Sequence, residues 1–217
     1  MFNSLIFLSV KREYITFFTN FHKMFFIKQR TYVKGANMTT VEPIRNKKDI
    51  QRVEKILSKQ SKRDLLLFVI GTNCGLRISD ILRLNVADVR NKTHIQITEK
   101  KTGKFKKFPI NAKLKPMIDE FIENRKDEEP LIKSYWGKRL DRISAYLIIK
   151  RACKKAGLQE LIGTHSMRKT FGYHHYQQFK DVVMLQKIFN HSSPQITLRY
   201  IGIEQDEIDN SYTNFIL

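Results

Sequence analysis

Acidic residues are scarce in this chain. Of its 217 residues, 21 are Asp or Glu against 40 Lys or Arg, a formal charge of +19. An excess of that size repels itself in a compact state, so it implies a polyanionic partner. Nucleic acid is the first choice and an anionic membrane surface the second. Long apolar runs are missing as well: no stretch reaches the roughly 18 residues that a membrane-spanning helix needs. The early run LIFLSV is too short for a convincing secretory h-region, precedes the basic residues and is followed by no small-residue cleavage site, so a secretory leader is not expected. Cysteine is limited to Cys74 and Cys153, neither in a CxxC pair and each inside an apolar helical pattern. Core thiols in a reducing cytoplasm are the reading, with a bond between the two less favoured. The histidines lack zinc-type spacing with cysteine, and there is no carboxylate cluster of the kind two-metal nucleases use. No metal is therefore expected. Internal repeats and low-complexity tracts are absent too.

What is present is mostly helical. KKDIQRVEKILSK places Ile50, Val53 and Ile56–Leu57 on one stripe, and SKRDLLLFVIGTNCG predicts a more buried helix ending near Gly75. RISDILRL is a third, short one. The period then changes: THIQITE alternates, KKTGK supplies a glycine turn and FKKFPI resumes, which predicts a β-hairpin. AKLKPMIDEFIENRKDEE is amphipathic, with Pro116 expected in its first turn. ISAYLIIKRACKKAGL follows and stops at Gly157. THSMRKTFGYHHYQQ, DVVMLQKIFN and SPQITLRY complete a run of short helices. The fold class is α+β, mainly α-helical with one small antiparallel sheet. Residues 1–37 hold seven of the fifteen phenylalanines and six Lys/Arg with Glu13 as the only acid, so they are expected to be an extension outside a core of 38–217.

Four places could carry chemistry. Arg77 follows Gly75-Leu76 at a helix start. Lys101 lies at the hairpin tip. His165 and Arg168 stand at i and i+3 on one helix face, with Thr164 able to cap that helix. Ser193 and Pro194 open a helix that presents Tyr200 one turn after Ile196, close behind His191. Taken singly, each has an ordinary reading: a surface charge, a solvated turn lysine, a structural histidine, one of eight tyrosines.

Together, and in this order, they resemble the catalytic domain of the tyrosine recombinases, the phage-integrase family. TNCGLRISDILRLNVADV resembles the segment around the family's first arginine, including the acidic residue three positions on, Asp80. KKTGKFKKFPI resembles its catalytic hairpin, THSMRKTFGYHHYQQ its His-x-x-Arg box, and NHSSPQITLRYIGI the segment joining a late histidine to the nucleophilic tyrosine. The resemblance runs from about residue 40 to the end. It implies that Arg77 and Arg168 clamp a phosphate, that Lys101 is the hairpin lysine with Lys104 as runner-up, that His165 and His191 are the two histidines and that Tyr200 is the nucleophile. Asn190 stands where the family commonly has glycine, and asparagine tolerates the left-handed backbone that such a turn needs. Family members usually carry a helical core-binding domain ahead of the catalytic one.

The residue types suit the reaction. Attack on a DNA phosphodiester builds charge on the equatorial oxygens, and two guanidiniums can neutralise it without metal. A cationic pocket is expected to lower the phenol pKa and favour the phenolate. A lysine on the hairpin can protonate the leaving 5′-oxygen. The implied function is a site-specific recombinase acting on double-stranded DNA through a 3′-phosphotyrosyl link, working as a homo-oligomer, a tetramer when bound to DNA. A DNA-binding relic that no longer cuts, or a type IB topoisomerase-like relaxase, are the alternatives. The tail EQDEIDNSYTNFIL either packs on its own domain or, through Ile208 and Phe215–Leu217, docks on a neighbour.

Overall fold

Asn46 begins the helical array by accepting a hydrogen bond from the Lys48 amide, and α1 follows over Lys47–Gln60. In this computed structural model residues 41–99, 103–159 and 161–215 are described; the expected extension at 1–37, Lys101 and the last two tail residues lie outside them. Val53 and Leu57 of α1 are fully buried, with Ile50 and Ile56 beside them, as the stripe in the sequence requires. Each such side chain contributes about 2 kcal/mol of burial. Ser61 ends α1 and caps α2, accepting from the Asp64 amide.

Helix α2, Lys62–Cys74, is apolar almost all round because it is the central helix: α1, α4 and α6 pack on it. The Cys74 thiol is 4% exposed, and burial pushes its pKa up to about 12, so it is inert packing. Gly75 ends α2 at φ +61°, and a Cβ there would sit 2.4 Å from the Phe171 ring, so both conformation and space demand glycine. A short α3, Ile78–Ile81, and a 3₁₀ turn at Val86–Asp88 lead into the sheet.

Strands β1, His94–Thr98, and β2, Phe105–Pro109, pair antiparallel with His94 opposite Pro109 and Thr98 opposite Phe105. The Glu99 amide donates to the Lys104 carbonyl and the Gly103 amide to the Glu99 carbonyl, both at 2.9 Å, closing the hairpin. Helix α4, Leu114–Ile122, carries Pro116 in its first turn as expected. Helix α5, Arg142–Lys155, is capped by Asp141, whose carboxylate accepts from the Ile143 and Ser144 amides.

Helix α6, Thr164–Phe179, runs for 16 residues rather than being one of the short helices predicted. Its cap also differs: Gly163 occupies that position and its amide donates to Ser166 Oγ, so Thr164 is already inside the helix. Beyond it lie α7, Val182–Phe189, then α8, Pro194–Ile201, capped by Ser193 as the sequence indicates, and α9, Ile203–Asn214. The architecture is α+β, mainly helical with a two-stranded antiparallel sheet. Among the described residues no helix is long and apolar enough to cross a membrane.

The helix that bears Tyr200 rests on a small core of its own. Leu185, Phe189, Ile201 and Ile203 form a cluster separate from the main one, with Phe171, Leu198 and Tyr200 packed against it. A Cβ on Gly172 of α6 would sit 2.7 Å from both the Ile201 methyl and the Phe189 ring. Gly172→Ala should therefore push α8 off α6, at a cost of about 1–3 kcal/mol from overpacking. The expected result is a nearly intact far-UV spectrum, a lower melting temperature and strongly reduced chemistry at Tyr200. An alanine variant as active as the parent would show that α8 tolerates displacement.

Candidate active site

Arg168 is the hub on which four distant segments meet. It is 3% exposed, on the inner face of α6. One terminal nitrogen donates to the Gly75 carbonyl, two residues before Arg77. The other donates to the Phe189 carbonyl at 3.0 Å, two residues before His191. Its guanidinium carbon stands 4.3 Å from the Phe189 ring centroid. Backbone carbonyls, not carboxylates, hold this cation, so its charge is oriented without being neutralised by those bonds.

The rings continue the network. Tyr200 meets Phe189 edge-on at 5.5 Å and His191 edge-on at 5.0 Å, and the Lys169 ammonium lies 5.4 Å from the Tyr200 centroid. His191 Nδ1 is 3.0 Å from Thr197 Oγ1, whose hydroxyl also reaches the Ser193 carbonyl; Thr197 is fully buried. That contact, made by a residue one turn before Tyr200 on α8, fixes the plane of the His191 imidazole. Asn190 takes φ +55°, the left-handed turn that lets the chain reverse between Phe189 and His191, and its side-chain oxygen accepts from Lys104 Nζ at 2.8 Å.

Arg77, at the start of α3, points its Nη1 to within 2.7 Å of Glu99 Oε1. That nitrogen is buried and makes no aligned hydrogen bond. The contact is thus an ion pair between the Arg77 guanidinium and a buried carboxylate. Glu99 is 1% exposed and also lies 3.7 Å from Lys106 Nζ, which donates to the Ile188 carbonyl. Burial, with Arg168 and Arg77 adding to it against Glu99, holds the Lys106 ammonium below the usual lysine range. The structure therefore brings together Arg77, Arg168, His191 and Tyr200, and sets His165 one turn before Arg168 on α6.

Sequence reasoning passed over Glu99, Lys106 and Lys169. A signal existed for the first two. Along β1 the inward positions are Ile95, Ile97 and then Glu99, and along β2 Lys106 shares its face with the buried Phe108. Charged residues in register with core residues are the mark of a pocket wall.

The phenol behaves differently from expectation. Burial raises the Tyr200 pKa above its ordinary value, and Arg168 and Arg77, which pull it down, do not overcome that. The ring is packed among Phe189, His191 and α6, so desolvation of the phenolate outweighs two guanidiniums whose fields are shared with Glu99 and backbone carbonyls. The group stays protonated at neutral pH and needs a base. His165 faces solvent, but partial burial, followed by the charges of Arg142, Arg168, Lys169 and Arg77, keeps its imidazole below the ordinary range and hence neutral.

His174 and His175 are lowered for the same leading reason, burial, partly offset by the Ile44 carbonyl for the first and Asp181 for the second. The folded pKa values lie below the unfolded one, so the unfolded chain takes up protons first as pH falls. Stability is complete above about pH 7 and declines as pH drops through about 6.5 toward the folded values. Thermal melts between about pH 7.5 and 5 should show this decline, and His174→Gln should make it shallower; a melting temperature flat across that window would contradict it.

With this geometry in place, the comparisons with known proteins are direct. The sequence model of the phage integrase family matches residues 45–207. The probable integrase/recombinase YoeC of Bacillus subtilis is 49% identical over 179 residues, covering 82% of this chain and 98% of that one. Tyrosine recombinase XerA of Pyrococcus horikoshii is 29% identical over 70% of this chain and 54% of its own length. A lambda integrase tetramer solved on a Holliday junction shares the fold, with a TM-score of 0.62, at 16% identity over 78% of this chain and 51% of that one. The chain thus spans nearly all of YoeC but about half of XerA and of lambda integrase. Two arginines, two histidines and a tyrosine from separated segments, framed by that match, settle the relationship: the chain belongs to the phage integrase family, the tyrosine recombinases.

Proposed function

We propose that this chain cuts and rejoins double-stranded DNA at specific sites through a 3′-phosphotyrosyl intermediate on Tyr200. The observation that carries the reading is Arg168, anchored on the Gly75 and Phe189 carbonyls and so tying the Arg77 turn to the His191–Tyr200 cluster. Arg77 and Arg168 bind the non-bridging oxygens of the scissile phosphate and stabilise the charge that grows there. Tyr200 Oη attacks phosphorus as its proton passes to the neutral His165, and His191 steadies the same phosphate. The P–O5′ bond breaks, and a hairpin lysine protonates the departing 5′-oxygen. Lys101 holds that role by the family resemblance, with Lys104 or Lys106 as the alternatives. The phosphotyrosyl ester keeps the bond energy, so a 5′-hydroxyl can reverse the step with no cofactor. Nothing observed favours the relic or the relaxase.

The partner is duplex DNA, the setting is the cytoplasm, and the DNA-bound state is a tetramer of this chain. The tail supports assembly between copies, because Tyr212 and Phe215 are 80% and 69% exposed and are not packed on their own domain.

Incubation with nicked duplex in EDTA tests the chemistry. A covalent adduct is expected, mapping to the peptide that contains Tyr200, because the guanidiniums supply the charge that a metal would otherwise bring. A strict Mg²⁺ requirement, or an adduct on another peptide, would overturn the mechanism. Cross-linking the DNA complex counts the protomers, and a complex that stays monomeric removes the tetramer.

A further inference from the structure

Residues 133–139 form a small hairpin outside the site just described. Lys133 and Arg139 pair as an isolated antiparallel bridge, the Ser134 amide donates to the Lys138 carbonyl at 2.7 Å, and the Leu140 amide donates to the Ile132 carbonyl at 3.0 Å. Its base is bolted to the body. The Arg139 guanidinium donates to the Leu82 and Leu84 carbonyls and to Asn85 Oδ1, and Arg63 donates to the Lys133 carbonyl. On this ordered support stand Tyr135 and Trp136, 90% and 82% exposed, their rings edge to face at 5.2 Å. Two large aromatic rings held in water by a rigid base are displayed, since a merely solvated turn would carry polar residues.

The surrounding charge selects the partner. Between 133 and 142 lie Lys133, Lys138, Arg139 and Arg142 against Asp141 alone; Lys133 is paired with Glu129 and the Asp141 carboxylate is engaged by the first amides of α5, so Lys138, Arg139 and Arg142 carry the positive charge. A basic collar around exposed aromatics suits a polyanion with stackable faces. The hairpin leads directly into Arg142, the first residue of α5, so the basic residues continue from the hairpin onto that helix.

We propose that Tyr135 and Trp136 form a wedge that packs against the sugar and base edges of the duplex, adding affinity that phosphate contacts do not supply. This rests on the proposed reading that the chain acts on duplex DNA. Trp136 is the single tryptophan of the chain, so its emission reports on this hairpin and nothing else.

The experiment titrates the full chain with a dye-labelled duplex, following dye anisotropy and Trp136 emission together. Emission should change in step with anisotropy. Trp136→Ala and Tyr135→Ala should each weaken binding by about tenfold with an unaltered melting temperature and an unaltered salt slope, because the phosphate contacts remain. Binding seen by anisotropy with unmoved emission and parent-like alanine variants overturns the wedge and leaves the recombinase reading standing. Emission that changes with protein concentration in the absence of DNA makes the hairpin a protein-contact surface and also overturns it. No binding by any of the proteins removes the DNA reading itself.

Discussion

Replacing Tyr200 with phenylalanine is expected to abolish the covalent protein–DNA adduct while leaving the fold and duplex affinity in place. The ring would keep its edge contacts with Phe189 and His191 and its place beside Lys169. Only the hydroxyl is lost, so stability should change by no more than about 1 kcal/mol. The chemical loss is total because no other group can take the same position. Tyr173 and Tyr176 belong to the same small core, but on α6 and on its far side in sequence from His165. An adduct that survives Tyr200→Phe would point to one of them and end the assignment. Denaturing gel analysis on a suicide substrate, in which the nicked product diffuses away, reads the outcome directly.

Arg168→Lys should be nearly as damaging, for a different reason. Lysine keeps the charge but has one nitrogen, and it cannot hold the Gly75 and Phe189 carbonyls together while presenting a donor to phosphate. Losing charge-assisted bonds to two buried carbonyls should cost about 2–4 kcal/mol of stability. Losing one bidentate phosphate contact should slow cleavage by about 10²–10³. The two effects separate experimentally: the melt reads the first, and adduct formation at a temperature where both proteins are folded reads the second. Cleavage by the lysine variant within a few-fold of the parent would show that Arg168 is an architectural cation only.

The consequence for Tyr200 chemistry is that activation is a dynamic balance rather than a preset phenolate. Burial dominates its pKa, so on the proposed mechanism the proton leaves as the bond to phosphorus forms, with the neutral His165 imidazole as its acceptor. The small core beneath α8 is the place where that geometry is tuned. Four buried side chains and one tight contact at Gly172 hold the helix, far fewer than hold α2.

Much of this was legible in the residues. The stripe of Val53 and Leu57, the uniform apolarity of α2, the glycine at Gly75 and the Ser193-Pro194 start are local signals, and the chain obeys them because each needs only its own neighbours. The candidate site was legible through motif order, which marked Arg77, His165, Arg168, His191 and Tyr200. The start of α6 was misread at Thr164 because Gly163 and Ser166 satisfy each other there, a choice the sequence leaves open among adjacent small residues.

Other features depended on elements far apart in the chain. The inward turn of Glu99 beside Arg77, the depressed ammonium of Lys106 and the raised pKa of Tyr200 are set by groups between 22 and 123 positions away, such as Arg77 acting on Glu99 and on Tyr200. Desolvation depends on which surfaces close over a group, and no local pattern records that. Periodicity and caps thus decided the helices and the hairpin, and motif order marked the candidate site residues. Tertiary packing alone decided how strongly each of those residues holds its proton or its charge, since that energy comes from water excluded by segments that meet only in the folded molecule.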